Sequence, residues 1–153
     1  MKLADFLEEA TVVPELNSDS KEDVINELSE NISKTHTNIN HEKLVEVLLE
    51  REKLCSTAVD FGVAVPHAKL SGINDIIIGF GRSLEGIGFE SLDNKPTHFF
   101  ITLIAPEEAV GAHIQLLARI SKIFKEPEFR SRLMKYETGE EIFESLITED
   151  EKY

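Results

Sequence analysis

The chain has one cysteine, Cys55, so no disulfide can form within it. That suits a reducing compartment, and a cytoplasmic protein is expected. No apolar run approaches the roughly 18 residues that a bilayer-spanning helix needs. The first residues, Met1-Lys2-Leu3-Ala4-Asp5, lack the apolar stretch of a secretory leader, because Asp5 interrupts it. Direct membrane insertion is therefore not expected. Cations are scarce: 16 Lys and Arg stand against 29 Asp and Glu, a formal net charge of −13. Such a surface repels nucleic-acid phosphates and anionic lipid. Its natural complement is a partner protein with a basic docking face. Also missing are a Walker loop, a dinucleotide glycine fingerprint, paired cysteines and His-x-x-x-His metal spacing. No cofactor and no metal are expected, and the chemistry has to be simple.

What is present is the composition of an ordinary globular chain, 41% hydrophobic and 29% charged over 153 residues. That length fits a single domain, residues 1–153, able to bury a core without staples. Leu3 to Pro14 reads as a helical turn followed by a short strand, Thr11-Val12-Val13. Ser20 to Lys34 reads as an amphipathic helix, with Val24, Ile25, Leu28 and Ile32 on one face. After a polar connector, Asn40 reads as the N-cap of a second helix running through Leu54. Gly62-Val63-Ala64-Val65-Pro66 reads as a short strand ended by proline. Ile76 to Phe80 and Phe99 to Ile104 are nearly continuous apolar runs, as expected of strands covered on both faces. Gly86, Gly88 and Asp93-Asn94-Lys95-Pro96 punctuate the connection between them. The last third is helical: Ala112 to Lys125, a short helix from Pro127, and a capping box at Thr138-Gly139-Glu140-Glu141 ahead of Ile142. The pattern predicts an α/β fold, a three-layer sandwich in which a small mixed sheet is flanked by helices on both faces.

Five histidines are the candidates for chemistry. His36 and His41 fall in a connector and a first helical turn, where solvated surface is the plain reading. His98 opens a strand and reads as an edge position with no special role. His67 follows Pro66, whose fixed φ and hold on Val65 bring the chain in stiffly, while Ala68 leaves room for approach. A neutral imidazole there could offer one ring nitrogen as a nucleophile while a hydrogen bond holds the other. The alternative is a strand-end histidine that only packs. His113 lies in the first turn of the long C-terminal helix, in register with Leu117 and Ile120, so it points into the domain. It either meets an anion at the helix N-terminus or is a core histidine satisfied by a carbonyl. Arg51 and Lys69 could each neutralise a phosphoryl group, or be ordinary surface cations. Ser56 and Thr57 could donate to phosphate oxygens, or simply end the helix.

In order, Arg51-Glu52, Ser56-Thr57 and Gly62-Val63-Ala64-Val65-Pro66-His67-Ala68-Lys69 resemble the active-site segment of the fructose/mannitol-type enzyme IIA family of the phosphotransferase system. Gly81-Arg82-Ser83, Gly86-Ile87 and Asp93-Asn94-Lys95-Pro96 resemble that family's middle. His113-Ile114 with Leu117-Ala118 resembles its second histidine helix. The likeness runs from about Arg51 to Leu146. It implies that His67 accepts phosphate from the histidine-containing phosphocarrier protein, that His113 hydrogen-bonds the phosphoryl group or orients His67, and that Arg51 supplies positive charge. It also implies passage of the phosphate to a IIB domain or, in the nitrogen-regulatory branch, control of a target protein by phosphorylation state. Asn94 and its neighbours lean towards the regulatory branch, and Gly81-Arg82-Ser83 towards the fructose proteins. Ala58 and Asp60 depart from the glycines common in the family. The surface around His67 is expected to be apolar, with Arg51 or Lys69 as its only nearby cation. Acidic residues should gather on the Ser20–Lys34 helix and the Glu140–Tyr153 segment.

Overall fold

The structure, a computed structural model, describes residues 1–109 and 111–153. A single helical turn at Leu3–Asp5 leads into β1 (Leu7–Val13), α1 (Lys21–Thr35) and α2 (His41–Leu54). Two short strands follow, β2 (Val63–Ala64) and β3 (His67–Leu70), then the long β4 (Ile77–Ile87) and β5 (Thr97–Pro106). The helices α3 (Ala112–Phe124), α4 (Pro127–Lys135) and α5 (Gly139–Asp150) complete the described chain.

The five strands form one mixed sheet in the order β1-β4-β5-β2, with β3 also paired to β5. β1 runs parallel to β4, β4 antiparallel to β5, and β2 and β3 parallel to β5. Successive side chains of a strand point to opposite faces, and both faces here are covered. Phe99, Ile101 and Leu103 pack with α3, α4 and α5, against Ile120, Phe124, Phe129, Leu133 and Ile142. Phe100 and Ile104 pack with α1 and α2, against Val24, Leu28, Leu44 and Leu48. This is why the β5 sequence is apolar without alternation. The expected sandwich is the observed one.

Helix starts follow the expected chemistry. The Ser20 hydroxyl accepts the N–H of Asp23, the Asn40 side chain accepts that of Lys43, and Thr138 forms its capping box with Glu141. Strand bounds differ more. β4 continues past Phe80 to Ile87, because Gly86 at φ 86 carries an irregularity in register with β5 instead of ending the strand. A Cβ at Gly86 would stand 2.6 Å from the Cβ of Pro96, so the close approach of these chains needs glycine there.

Three further expectations are corrected. β5 lies inside the sheet, so His98 is no edge residue; its Nδ1–H donates to the Ser83 carbonyl at 2.8 Å. His36 and His41 are half-buried, each with a buried Nε2, and His36 shares a cavity wall with Phe6, Leu7 and Ile76. Glu149 and Asp150 are buried acids of α5. Glu149 pairs with Arg132, and Asp150 pairs with Arg119 at 2.8 Å while accepting the Leu3 N–H. Exposed acids do line the outer faces of α1 and α5, among them Glu22, Asp23, Glu140 and Glu144.

Candidate functional site

His67 opens β3. The sequence expectation of a strand terminated by Pro66 captures only half of the local structure. Proline has no N–H, so pairing to β5 stops after Ala64. The Pro66 carbonyl still accepts the Leu103 N–H at 3.0 Å, and pairing resumes with His67 opposite Leu103. Val65 faces away from β5, its N–H donating to the Thr57 carbonyl at 3.1 Å, and its carbonyl meets the His67 ring: Nδ1 lies 2.7 Å from that oxygen. A carbonyl can only accept, so Nδ1 carries the hydrogen and Nε2 keeps its lone pair.

The ring is half-buried. Burial is the largest influence on its titration and holds it below the ordinary histidine value of 6.5. Arg51 and His113 act in the same direction, while the Val65 bond and the Glu52 carboxylate oppose it. Near neutral pH the imidazole is therefore uncharged, the form a nucleophile needs.

A cavity of about 380 Å³ opens beside His67. Its apolar wall comes from Val63 and Val65 on one side and Leu117, Ile120 and Phe124 of α3 on the other. Arg51, at the end of α2, lines it too and donates from Nη1 to the Cys55 carbonyl at 2.8 Å. So does Lys125, just past α3, which sequence reasoning did not single out. Lys69 is exposed and outside this wall, so the second cation of the cavity is Lys125 and not Lys69. The signal for Lys125 existed: it follows Phe124 on a helix whose inner face was already assigned. Asp60 also lines the cavity, so the surface is apolar with charges of both signs.

His113 sits half-buried in the first turn of α3. It is close enough to influence the titration of His67, although it does not line the cavity. Its Nδ1 is buried and has no hydrogen-bond partner among the described residues, so the carbonyl-satisfied alternative does not hold for that atom. Gly111, in the left-handed region at φ 82, begins α3 without a side-chain cap. His67, Arg51 and His113 are thus brought together from β3, α2 and α3.

Ser56 and Thr57 are committed elsewhere. The Ser56 hydroxyl donates to the Phe89 carbonyl at 2.6 Å and accepts the Ala58 N–H. The Thr57 hydroxyl donates to Glu52. Neither is free to serve a phosphate as it stands, so both build the loop. Ala58 bridges Ala64 and is buried in the core beside α1 and α2, where its small side chain fits. After Asp60 the loop turns through Phe61, at φ 69, and Gly62, at φ 73. A bulky residue in the left-handed region is strained. Phe61 nonetheless stands half out of the surface under the Arg130 guanidinium, 4.5 Å from its ring centroid. Phe61 and Arg130 escaped the sequence reading, and Glu52 was quoted there only beside Arg51, its burial unforeseen.

Comparison with known proteins gives the family. Residues 5–149 match the family described as phosphoenolpyruvate-dependent sugar phosphotransferase system, EIIA 2. The chain belongs to that family. It is 34% identical over 146 residues to a nitrogen regulatory protein of Bradyrhizobium diazoefficiens, covering 95% of each. It is 32% identical over 150 residues to the fructose-specific EIIABC component of Bacillus subtilis, covering 98% of this chain but 24% of that protein. The chain thus spans about a quarter of that protein's length. Among solved structures, the nitrogen regulatory protein IIA-Ntr of Neisseria meningitidis superposes with a TM-score of 0.88 at 29% identity, over 94% of this chain and 98% of that one. Among the described residues no helix is long and apolar enough to cross a membrane.

Proposed function

We propose that this protein is a phosphoryl carrier of the phosphoenolpyruvate-dependent sugar phosphotransferase system, taking phosphate on His67 from the histidine-containing phosphocarrier protein and passing it to a IIB domain. The observation that carries the reading is the His67 ring, with Nδ1–H on the Val65 carbonyl and Nε2 left as the nucleophile beside an apolar cavity holding Arg51. The Nε2 lone pair attacks phosphorus in line. The N–P bond of the donor histidine breaks, and the donor ring keeps its electron pair. As the new Nε2–P bond forms, the His67 ring gains positive charge, and the Nδ1–H bond to Val65 stabilises it. The phosphoryl oxygens meet Arg51, with His113 as a further donor to them or a brace for the ring. Such transfer depends on positioning and charge neutralisation, which these residues supply. The N–P bond keeps the transfer potential for the next acceptor.

A second reading is favoured by the 34% identity to a nitrogen regulatory protein. Here the phosphorylation state of His67 controls a target protein through a changed surface. The test of the shared step is incubation with phosphoenolpyruvate, enzyme I and the phosphocarrier. One acid-labile, base-stable phosphate is expected, absent from His67→Ala. Uptake by His67→Ala at the normal rate overturns the assignment. Onward transfer to a purified IIB domain favours the carrier. Retention of the phosphate, with altered capture of a target, favours the regulator.

A further inference from the structure

Glu52 is a carboxylate 6% exposed, one residue beyond Arg51 in α2. Burying such a charge costs several kcal/mol unless partners replace its water. Glu52 has a full set. Oε1 accepts the Thr57 N–H at 3.0 Å and the Lys21 ammonium at 3.1 Å, and Oε2 accepts the Thr57 hydroxyl. Lys21 is itself held over the Phe89 ring, 4.7 Å from its centroid.

What these bonds hold leads to the reactive ring. The Thr57 carbonyl accepts the Val65 N–H at 3.1 Å, and the Val65 carbonyl accepts Nδ1–H of His67 at 2.7 Å. Past Pro66 the chain is fixed on β5 through Leu103. Val65 lies between Ala64, paired to β5, and Pro66, and its one tie on the side away from the sheet is the Thr57 carbonyl, so where Thr57 is held bears on the direction of the Val65 carbonyl. Neither Glu52 nor Lys21 touches the His67 ring by a hydrogen bond; they act through Thr57 and Val65. We infer that Glu52, with Lys21 and Thr57, is a positioning element that fixes His67 as its Nδ1–H tautomer and so leaves Nε2 free to react. This rests on His67 being the phosphoacceptor. The Glu52 charge has a second effect on the same ring, raising its proton affinity against the effect of burial.

The test reads the tautomer directly, in unphosphorylated protein, by long-range ¹H–¹⁵N spectra of the histidine rings above pH 6.5, the ordinary histidine value. The unaltered protein should show His67 as Nδ1–H. Glu52→Gln, whose amide nitrogen cannot accept the Thr57 hydroxyl as Oε2 does and whose side chain no longer carries the charge facing Lys21, should show a mixture with the Nε2–H form. Thr57→Val should do the same, and Thr57→Ser, which keeps the hydroxyl, should restore the single tautomer. Phosphate uptake should fall about 10- to 100-fold in Glu52→Gln and Thr57→Val, the scale on which outer partners of a functional imidazole act. The Thr57 pair decides the matter if Glu52→Gln fails to fold. A wild-type tautomer in Thr57→Val overturns the inference. If the tautomer shifts as expected but the unaltered protein takes no phosphate on His67, the phosphoryl reading fails and the positioning assignment stands.

Discussion

Replacing Arg51 with glutamine separates charge from packing at the site. Arg51 is half-buried, lines the cavity beside His67, and closes the end of α2 by donating to the Cys55 carbonyl. A unit charge about 4 Å from another is worth about 4 kcal/mol at an effective dielectric of 20. Partial exposure screens that, so about 1–2 kcal/mol is a sound expectation, or roughly 5- to 30-fold in the rate of phosphate acceptance. The lost hydrogen bond to Cys55 removes about 0.5–1.5 kcal/mol of stability. There is an independent electrostatic readout. Arg51 helps hold His67 below 6.5, so its removal should bring the ring's titration back towards that value. The assays are the initial rate of transfer from labelled phosphocarrier well above pH 6.5, where the ring is mostly neutral in either protein, and an NMR titration of His67. Arg51→Lys should keep the titration and recover only part of the rate, because a point charge replaces a fork. A slower rate with an unmoved titration would assign Arg51 to loop structure. An unchanged rate would remove it from the site altogether.

Three other outcomes are expected. His113→Ala should still take phosphate on His67, but about 100- to 1,000-fold more slowly, the usual cost of losing one donor to developing charge; transfer in and out at the normal rate would make His113 a packing residue. Because the folded His67 titrates below the unfolded value of 6.5, an unfolded chain binds the proton first as pH falls. The contribution of His67 to stability is thus full above 6.5 and declines as pH drops through that value, and urea midpoints of His67→Gln should lack this step. Arg82→Met should lower unfolding free energy by about 2–3 kcal/mol, since the buried guanidinium donates to the Leu133 and Tyr136 carbonyls at the end of α4; phosphate uptake should not change, and an unaltered urea curve would refute the role.

The layers of this fold were legible because the sequence states them in two periods. Val24, Ile25, Leu28 and Ile32 repeat as one face of a helix, and the unbroken apolar run of β5 announces a strand with helices on both sides. The candidate set, His67 with Arg51 and His113, was legible because the stretches from Arg51 to Lys69 and from His113 to Ala118 resemble known segments. Their mutual placement was not, since they converge from α2, β3 and α3 and no local pattern encodes that meeting.

The residues that were missed share a cause. A buried Glu52 looks in sequence like any acid on a helix; only the return of Lys21 from α1 and of Thr57 from the next loop makes its burial tolerable. Phe61 in a left-handed turn breaks the local rule that would have placed glycine there, so propensity reasoning could not foresee it.

Pro66 shows how one residue's backbone geometry reaches the site. Its missing N–H divides what would be a single edge strand into β2 and β3, while Val65 just before it faces away from β5, its N–H on the Thr57 carbonyl and its own carbonyl on the His67 ring. An unpaired carbonyl next to a buried ring is costly unless it finds a donor, and the only donor a neutral imidazole has is the proton on one nitrogen. Once that proton is on Nδ1, the nucleophile has to be Nε2. By biasing Val65 towards an extended conformation, the proline therefore helps to fix which atom of His67 can react.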